Sequence, residues 1–197
     1  MVVEQLERNR RTTAFALGRD ASLVYWEPNA GGRSVVSEAL SMEYMHQRFG
    51  AMDVVTEMQI EYWSPNWKKV DYLCTIYGQR IAVSVTRAMK FHKNAVFTTS
   101  DAQTLLRKKL YGLVVAKAGV CNAQRYTKSV LHIWCQTTAI ARTLAMCYGA
   151  VVADLDIVEN VILIATVARE EGIFDNNLVL LDPQQIGALQ TSPRHDL

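Results

Sequence analysis

With 197 residues, half of them apolar, the chain is long enough for one domain with a sizeable core. Its 21 basic and 19 acidic residues leave a formal charge of +2, too near balance for a protein carried onto polyanions by bulk charge. No apolar run approaches the roughly 18 residues that span a membrane, and the opening MVVEQLERNRR has no apolar core of a secretory signal.

Glu4 and Glu7 also argue against a mitochondrial presequence, despite the arginines. None of the four cysteines (Cys74, Cys121, Cys135, Cys147) forms a C-x-x-C pair, so a zinc ribbon is not expected. Reduced thiols in a soluble intracellular protein are expected, in nucleus or cytoplasm, with the mitochondrion left open.

Residues 1–33 read as an N-terminal arm ending in the breaker-rich run Glu27-Pro28-Asn29-Ala30-Gly31-Gly32-Arg33. A helix capped by Ser34 or Ser37 is predicted to run to Phe49, with Gly50 closing it. Asp53 to Trp63 alternates loosely and is rich in β-formers, which predicts a strand. A second strand is expected over Lys69 to Tyr77, a type II′ turn at Gly78-Gln79, and a third strand over Arg80 to Arg87.

The third strand sorts its side chains by size. Ile81, Val83 and Val85 fall on one face, and Ala82, Ser84, Thr86 and Ala88 on the other. The small-residue strip leaves room for a nucleic-acid backbone, a partner or the protein's own helix. That helix is predicted after Thr99 or Ser100, with Leu105, Leu106, Leu110, Leu113 and Val114 at helical spacing. A strand at Ser129 to Cys135, a helix at Thr138 to Val152, a strand at Val161 to Val167 and a short strand at Leu178 to Leu181 complete one α/β domain over 34–183. A polar tail, 184–197, follows.

The order helix, three strands, helix, strand over 34–135 resembles the αβββαβ core of the PD-(D/E)XK, or restriction-endonuclease-like, superfamily. The resemblance implies a mixed sheet flanked by helices. It also implies a metal-dependent nuclease site built from a carboxylate on the first helix, an Asp opening the second strand and an acid-x-Lys on the third. Asp71, in Val70-Asp71-Tyr72, matches the second-strand position. Glu38 matches the helix carboxylate, with Glu43 as a second choice. In Val83-Ser84-Val85-Thr86-Arg87, however, Ser84 stands at the acid position and Thr86 at the lysine position. A hydroxyl is a poor ligand for a hard divalent cation and threonine carries no charge, so no metal is expected here; Mg²⁺ is implied only if activity survives. Lysine migrates within this fold, so Arg87, Lys108 and Lys109 are the substitutes to consider, although Arg87 belongs to the opposite strand face from Thr86. The wording SEALSMEYM, KKVDYLCTIYG, RIAVSVTRAMKF, RKKLYGLVVAK and SVLHIWCQ also resembles a protein family of unicellular eukaryotes to which no reaction is assigned.

Two basic clusters bear on nucleic acid. Trp67, Lys68 and Lys69 lie at a turn with Trp63, and Arg107, Lys108 and Lys109 lie on the helix after the third strand. For each, an ordinary alternative exists: a tryptophan-anchored turn, and a solvated helix face. His46, His92 and His132 have no metal-ligand spacing, a Cys147–His catalytic pair has no local support, and Gly31-Gly32 lacks a phosphate-loop pattern. The leading expectation is a non-catalytic nuclease-fold protein acting in binding or assembly on a protein or nucleic-acid partner. The alternatives are a divergent metal-dependent nuclease and a purely structural subunit. No small-molecule cofactor or membrane partner is expected.

Overall fold

The two-sided burial of the sheet follows from strands whose two faces are both apolar. The computed structural model describes residues 2–6, 14–28, 34–90, 95–157 and 161–183. In chain order the elements are β1 (Val2–Leu6), β2 (Ala14–Ala16), α1 (Arg19–Trp26), α2 (Val35–Phe49), β3 (Met52–Thr56), β4 (Tyr72–Ile76), β5 (Gln79–Ala88), α3 (Thr99–Gly119), β6 (Lys128–Cys135), α4 (Thr138–Asp154), β7 (Val161–Ala168), α5 (Gly172–Asp175) and β8 (Val179–Leu181). The predicted helix–three strands–helix–strand order is present.

The main sheet is mixed, in the order β1-β7-β6-β5-β4-β3. The strands β3, β4 and β5 pair antiparallel, and β5, β6, β7 and β1 pair parallel. One face carries Leu73, Ala82, Ala88, Leu131, Ile133, Leu163 and Ala165, and packs on Leu106, Leu110, Leu113 and Leu144 of α3 and α4. The other carries Tyr72, Val83, Val85, Val130, Trp134 and Ile164, and packs on α1, α2 and α5. The strip of small residues on β5 is therefore filled by the protein's own helix α3.

Several local expectations need correction. Residues 1–33 are not a free arm where they are described: Val2–Leu6 pairs with Ile164–Ala168 as the outermost strand of the main sheet. In addition, α1 buries Ala21 and Val24 in the second core, and β2 pairs with β8 in a separate two-stranded sheet. The predicted strand at 53–63 stops at Thr56. A register shift lies between Met52 and Val55, Asp53 takes φ +54°, and the chain then turns through a 3₁₀ helix at Glu57–Gln59. The predicted strand from Lys69 begins only at Tyr72. The hairpin turn is Tyr77-Gly78, not Gly78-Gln79. Both central residues have positive φ (+49° and +73°), which is type I′ rather than II′ geometry. The cap of α3 is Thr98, in a reciprocal box with Asp101. Asn29 to Arg33 with its glycine pair, His92 and the tail 184–197 lie outside the described residues. Among the described residues no helix is long and apolar enough to cross a membrane.

Candidate functional site

The β4–β5 hairpin is lopsided, and the site lies where it runs out. Tyr72 is the first residue of β4, whereas β5 continues five residues past its partner Val83 to Ala88. Beyond that point the edge of β5 that faced β4 has backbone polar groups in need of partners. Side chains supply them. The Val85 N–H donates to Asp71 Oδ2 at 2.5 Å, and the Lys109 ammonium donates to the Val85 carbonyl at 2.9 Å. The Asp71 N–H donates to Val83 O at 3.0 Å, which pins the carboxylate at the fork. The Ser84 hydroxyl bonds to Asp71 as well.

Glu38 faces the same place from the first turn of α2. It is only 7 % exposed, and its Oε1 accepts a hydrogen bond from the Ser34 hydroxyl. Burial, then the neighbouring Asp71 charge, push its carboxyl up to about 7. Burial also raises Asp71, against the lowering pull of Lys109, the Val85 N–H and Ser84. Glu57 adds negative charge to both acids from the 3₁₀ turn after β3. Glu38, Asp71, Ser84 and Lys109 therefore form one electrostatic neighbourhood built from α2, the start of β4, β5 and α3.

The other predicted residues divide. Thr86 is half-buried on the Ser84 face of β5. Arg87 turns away, as its strand position implies: its guanidinium donates to Ile173 O, Phe174 O and Asn176 Oδ1 at the end of α5. Glu43 accepts from the Gly18 N–H and from Gln47. Trp67 is anchored, with Nε1 donating to Val115 O at 2.6 Å above Gly119. Lys68 is exposed, and half-buried Lys69 reaches the Met58 sulfur. Arg107 forms an ion pair with Asp154 of α4, Lys108 is exposed, and Lys109 points inward. The basic run at 107–109 thus has three separate destinations.

Sequence reasoning missed two features. One is the backbone of Val85, the hub of the site. The other is a buried polar chain in the second core, where Ser41 Oγ bonds to Tyr72 Oη (2.8 Å) and His132 Nδ1 (2.7 Å), and His132 Nε2 to Thr166 Oγ1 (3.0 Å). Its only sequence signal is a histidine within an apolar strand. All four cysteines are free, and burial pushes the Cys74 and Cys135 thiols up to about 12.

A divalent cation at this fork needs several oxygen ligands. Glu38 and Asp71 offer carboxylates, but the Val85 carbonyl is taken by an ammonium and Ser84 offers only a hydroxyl. Among the described residues no group of three His, Cys, Asp or Glu side chains is placed to hold a metal. Two carboxylates beside an ammonium are a poor donor set for a magnesium ion.

Neither a family model nor a solved structure matches the chain. A curated relative, the AAC-rich mRNA clone AAC4 protein of Dictyostelium discoideum, is 36% identical over 149 residues, covering 73% of this chain and 22% of the relative. The chain thus spans about a fifth of that protein's length.

Proposed function

We propose that this chain is a restriction-endonuclease-like module that binds or assembles rather than cuts. The observation that carries the reading is the Lys109 ammonium on the Val85 carbonyl, beside an Asp71 carboxylate engaged by the Val85 N–H. These groups hold the sheet edge closed. With Ser84 and Thr86 on the catalytic strand, they leave no carboxylate set for a metal. The sheet order and the placement of Glu38 and Asp71 support descent from the nuclease-type core.

A protein partner is the better supported class. Of the six side chains read as nucleic-acid contacts, Trp67, Arg107 and Lys109 are engaged within the fold and half-buried Lys69 reaches the Met58 sulfur, which leaves Lys68 and Lys108 as the exposed cations. The free thiols support an intracellular setting.

A divergent metal-dependent nuclease is the second reading. It is favoured by the meeting of two carboxylates and a lysine at one fork, and it requires Mg²⁺. One assay separates the two: wild type and Asp71→Ala incubated with single- and double-stranded DNA and RNA in Mg²⁺ or Mn²⁺. No metal-dependent cleavage is expected from either protein. Cleavage by the wild type that Asp71→Ala abolishes would overturn the binding reading. For the partner class, Lys68→Ala with Lys69→Ala and Lys108→Ala leaves capture of a protein partner unchanged. A nucleic-acid affinity whose salt slope falls in this variant instead assigns the surface to phosphates.

A further inference from the structure

We infer that Lys109 is the built-in cation of the Glu38–Asp71 fork, standing where a nuclease of this architecture takes a divalent ion, so that the folded protein neither needs nor takes one. The inference rests on the nuclease-type reading of the fork.

Charge, geometry and exclusion each support it. Glu38 from α2, Asp71 from the start of β4 and Glu57 from the 3₁₀ turn all bring negative charge to this point. The positive charges facing them are Lys109 from α3 and Arg87 from β5, and Arg87 also answers Asp175 and the α5 carbonyls. Lys109 is the group that reaches into the fork, because its ammonium ends on the carbonyl of the residue whose N–H holds Asp71. A magnesium ion sits about 2.0–2.1 Å from its oxygen ligands. Seating one on the Val85 carbonyl requires Lys109 to leave, because an ammonium that stayed would put two cations side by side in a half-buried space. Ammonium and metal are therefore mutually exclusive occupants.

The helical phase of α3 shows why Lys109, and neither of its neighbours, takes this role. Leu106, Leu110 and Leu113 face the sheet. Position 109 lies on the flank of that face, and 107 and 108 lie further round. A flexible stem from the flank can pass along the Ser84–Thr86 strip, where no bulky side chain blocks it.

The test is the thermal unfolding of the full chain, wild type and Lys109→Met, in excess EDTA or in millimolar Mn²⁺. The wild type is expected to have one Tm in both solutions. Lys109→Met keeps the stem and loses the charge, so its Tm should fall by about 4–10 °C at about pH 8. The gap should narrow as pH falls through about 7, where Glu38 takes up its proton and the negative charge facing Lys109 declines. Mn²⁺ should recover part of the loss in the variant alone. A pH-independent gap assigns Lys109 to packing only and overturns the inference. A wild-type Tm that rises with Mn²⁺, and no longer does so in Asp71→Ala, overturns it too. If Lys109→Met does not fold, calorimetric titration of the wild type with Mn²⁺ decides, with heat of specific binding as the overturning result. Metal-dependent cleavage by the wild type would defeat both the binding reading and this inference, whereas a wild type that neither cleaves nor binds Mn²⁺ but shows a pH-independent gap would defeat the inference and leave the binding reading standing.

Discussion

Asp71 and Lys109 hold opposite ends of the same residue: the carboxylate takes the Val85 N–H and the ammonium takes the Val85 carbonyl. Together they stand in for the stretch of β4 that the hairpin lacks. The two ends differ in what a substitution leaves behind. Asp71→Ala strands the Val85 N–H in a partly closed space and costs about 1–3 kcal/mol. Asp71→Asn keeps an acceptor oxygen there and removes a charge that burial disfavours, so its loss should be less than half as large. Urea unfolding of the two variants checks the ranking. Equal losses would mean that the charge, rather than the acceptor, matters at this position.

Glu38 sets a pH dependence of definite sign. Its folded-state carboxyl is raised from 4.5 to about 7, first by burial and then by Asp71. The stability associated with a raised acid is fully present below its unfolded value and is lost as pH climbs through the folded one. The window therefore runs from about pH 4.5 to 7 and is worth roughly 3 kcal/mol. Asp71, raised by the same burial, adds a slope of the same sign. Glu38→Gln can still accept a hydrogen bond from Ser34 and removes the ionisation. It should be more stable than the wild type at about pH 8 and nearly equal at about pH 4.5, with a flatter profile between. A profile unchanged by the substitution would place the titrating group elsewhere.

How much of this was readable from the sequence depended on distance along the chain. α2 could be placed from Ser34, the apolar spacing and Gly50, because its signals are local. The two faces of β5 were legible because Ile81, Val83 and Val85 alternate with Ala82, Ser84 and Thr86. The partnership of Val2–Leu6 with β7 was not legible, since it joins segments about 160 residues apart and VVEQL carries no turn signal or clean alternation. The end of β3 at Thr56 is not legible, because Tyr62 and Trp63 suit a strand by composition. In the fold the Tyr62 hydroxyl instead accepts from the Val70 N–H, beside Asp71. At the site, Asp71, Ser84 and Glu38 are reached only through the resemblance to the nuclease core, which supplies their positions. Lys109 is one of three substitutes for the motif lysine, with Arg87 and Lys108, but only the phase of α3 separates it from Lys108, and Val85 acts through its backbone, which no side-chain motif encodes.

His132 gives the opposite slope to Glu38. It is fully buried between Ser41 and Thr166, with the Tyr44 ring stacked on it at 5.0 Å, and burial lowers its imidazole from 6.5 to about 3. A lowered histidine contributes stability that is present above its unfolded value and is lost as pH falls toward the folded one. The loss therefore accumulates from about pH 6.5 down to 3, to roughly 4–5 kcal/mol. An NMR titration should show the His132 ring neutral until acid unfolding. A His132 midpoint near 6.5 in the folded protein would contradict the buried Ser41–His132–Thr166 chain.

Gly119 and Trp67 test whether the aromatic turn belongs to the fold or to a ligand. A methyl group at Gly119 would come within 1.9 Å of Trp67 Nε1, the atom that donates to Val115 O. Alanine is otherwise the better helix residue by about 0.8–1.0 kcal/mol. If the overlap dominates, as the distance implies, Gly119→Ala should cost about 1–3 kcal/mol and shift tryptophan emission to the red as the ring is expelled. In a Trp67→Ala background the clash is gone, so the same substitution should become neutral or stabilising. That change of sign in a double-mutant cycle ties the two residues together. A Trp67 that stacked on nucleic-acid bases would already be free of α3: Gly119→Ala would then cost nothing, and the cycle would be additive.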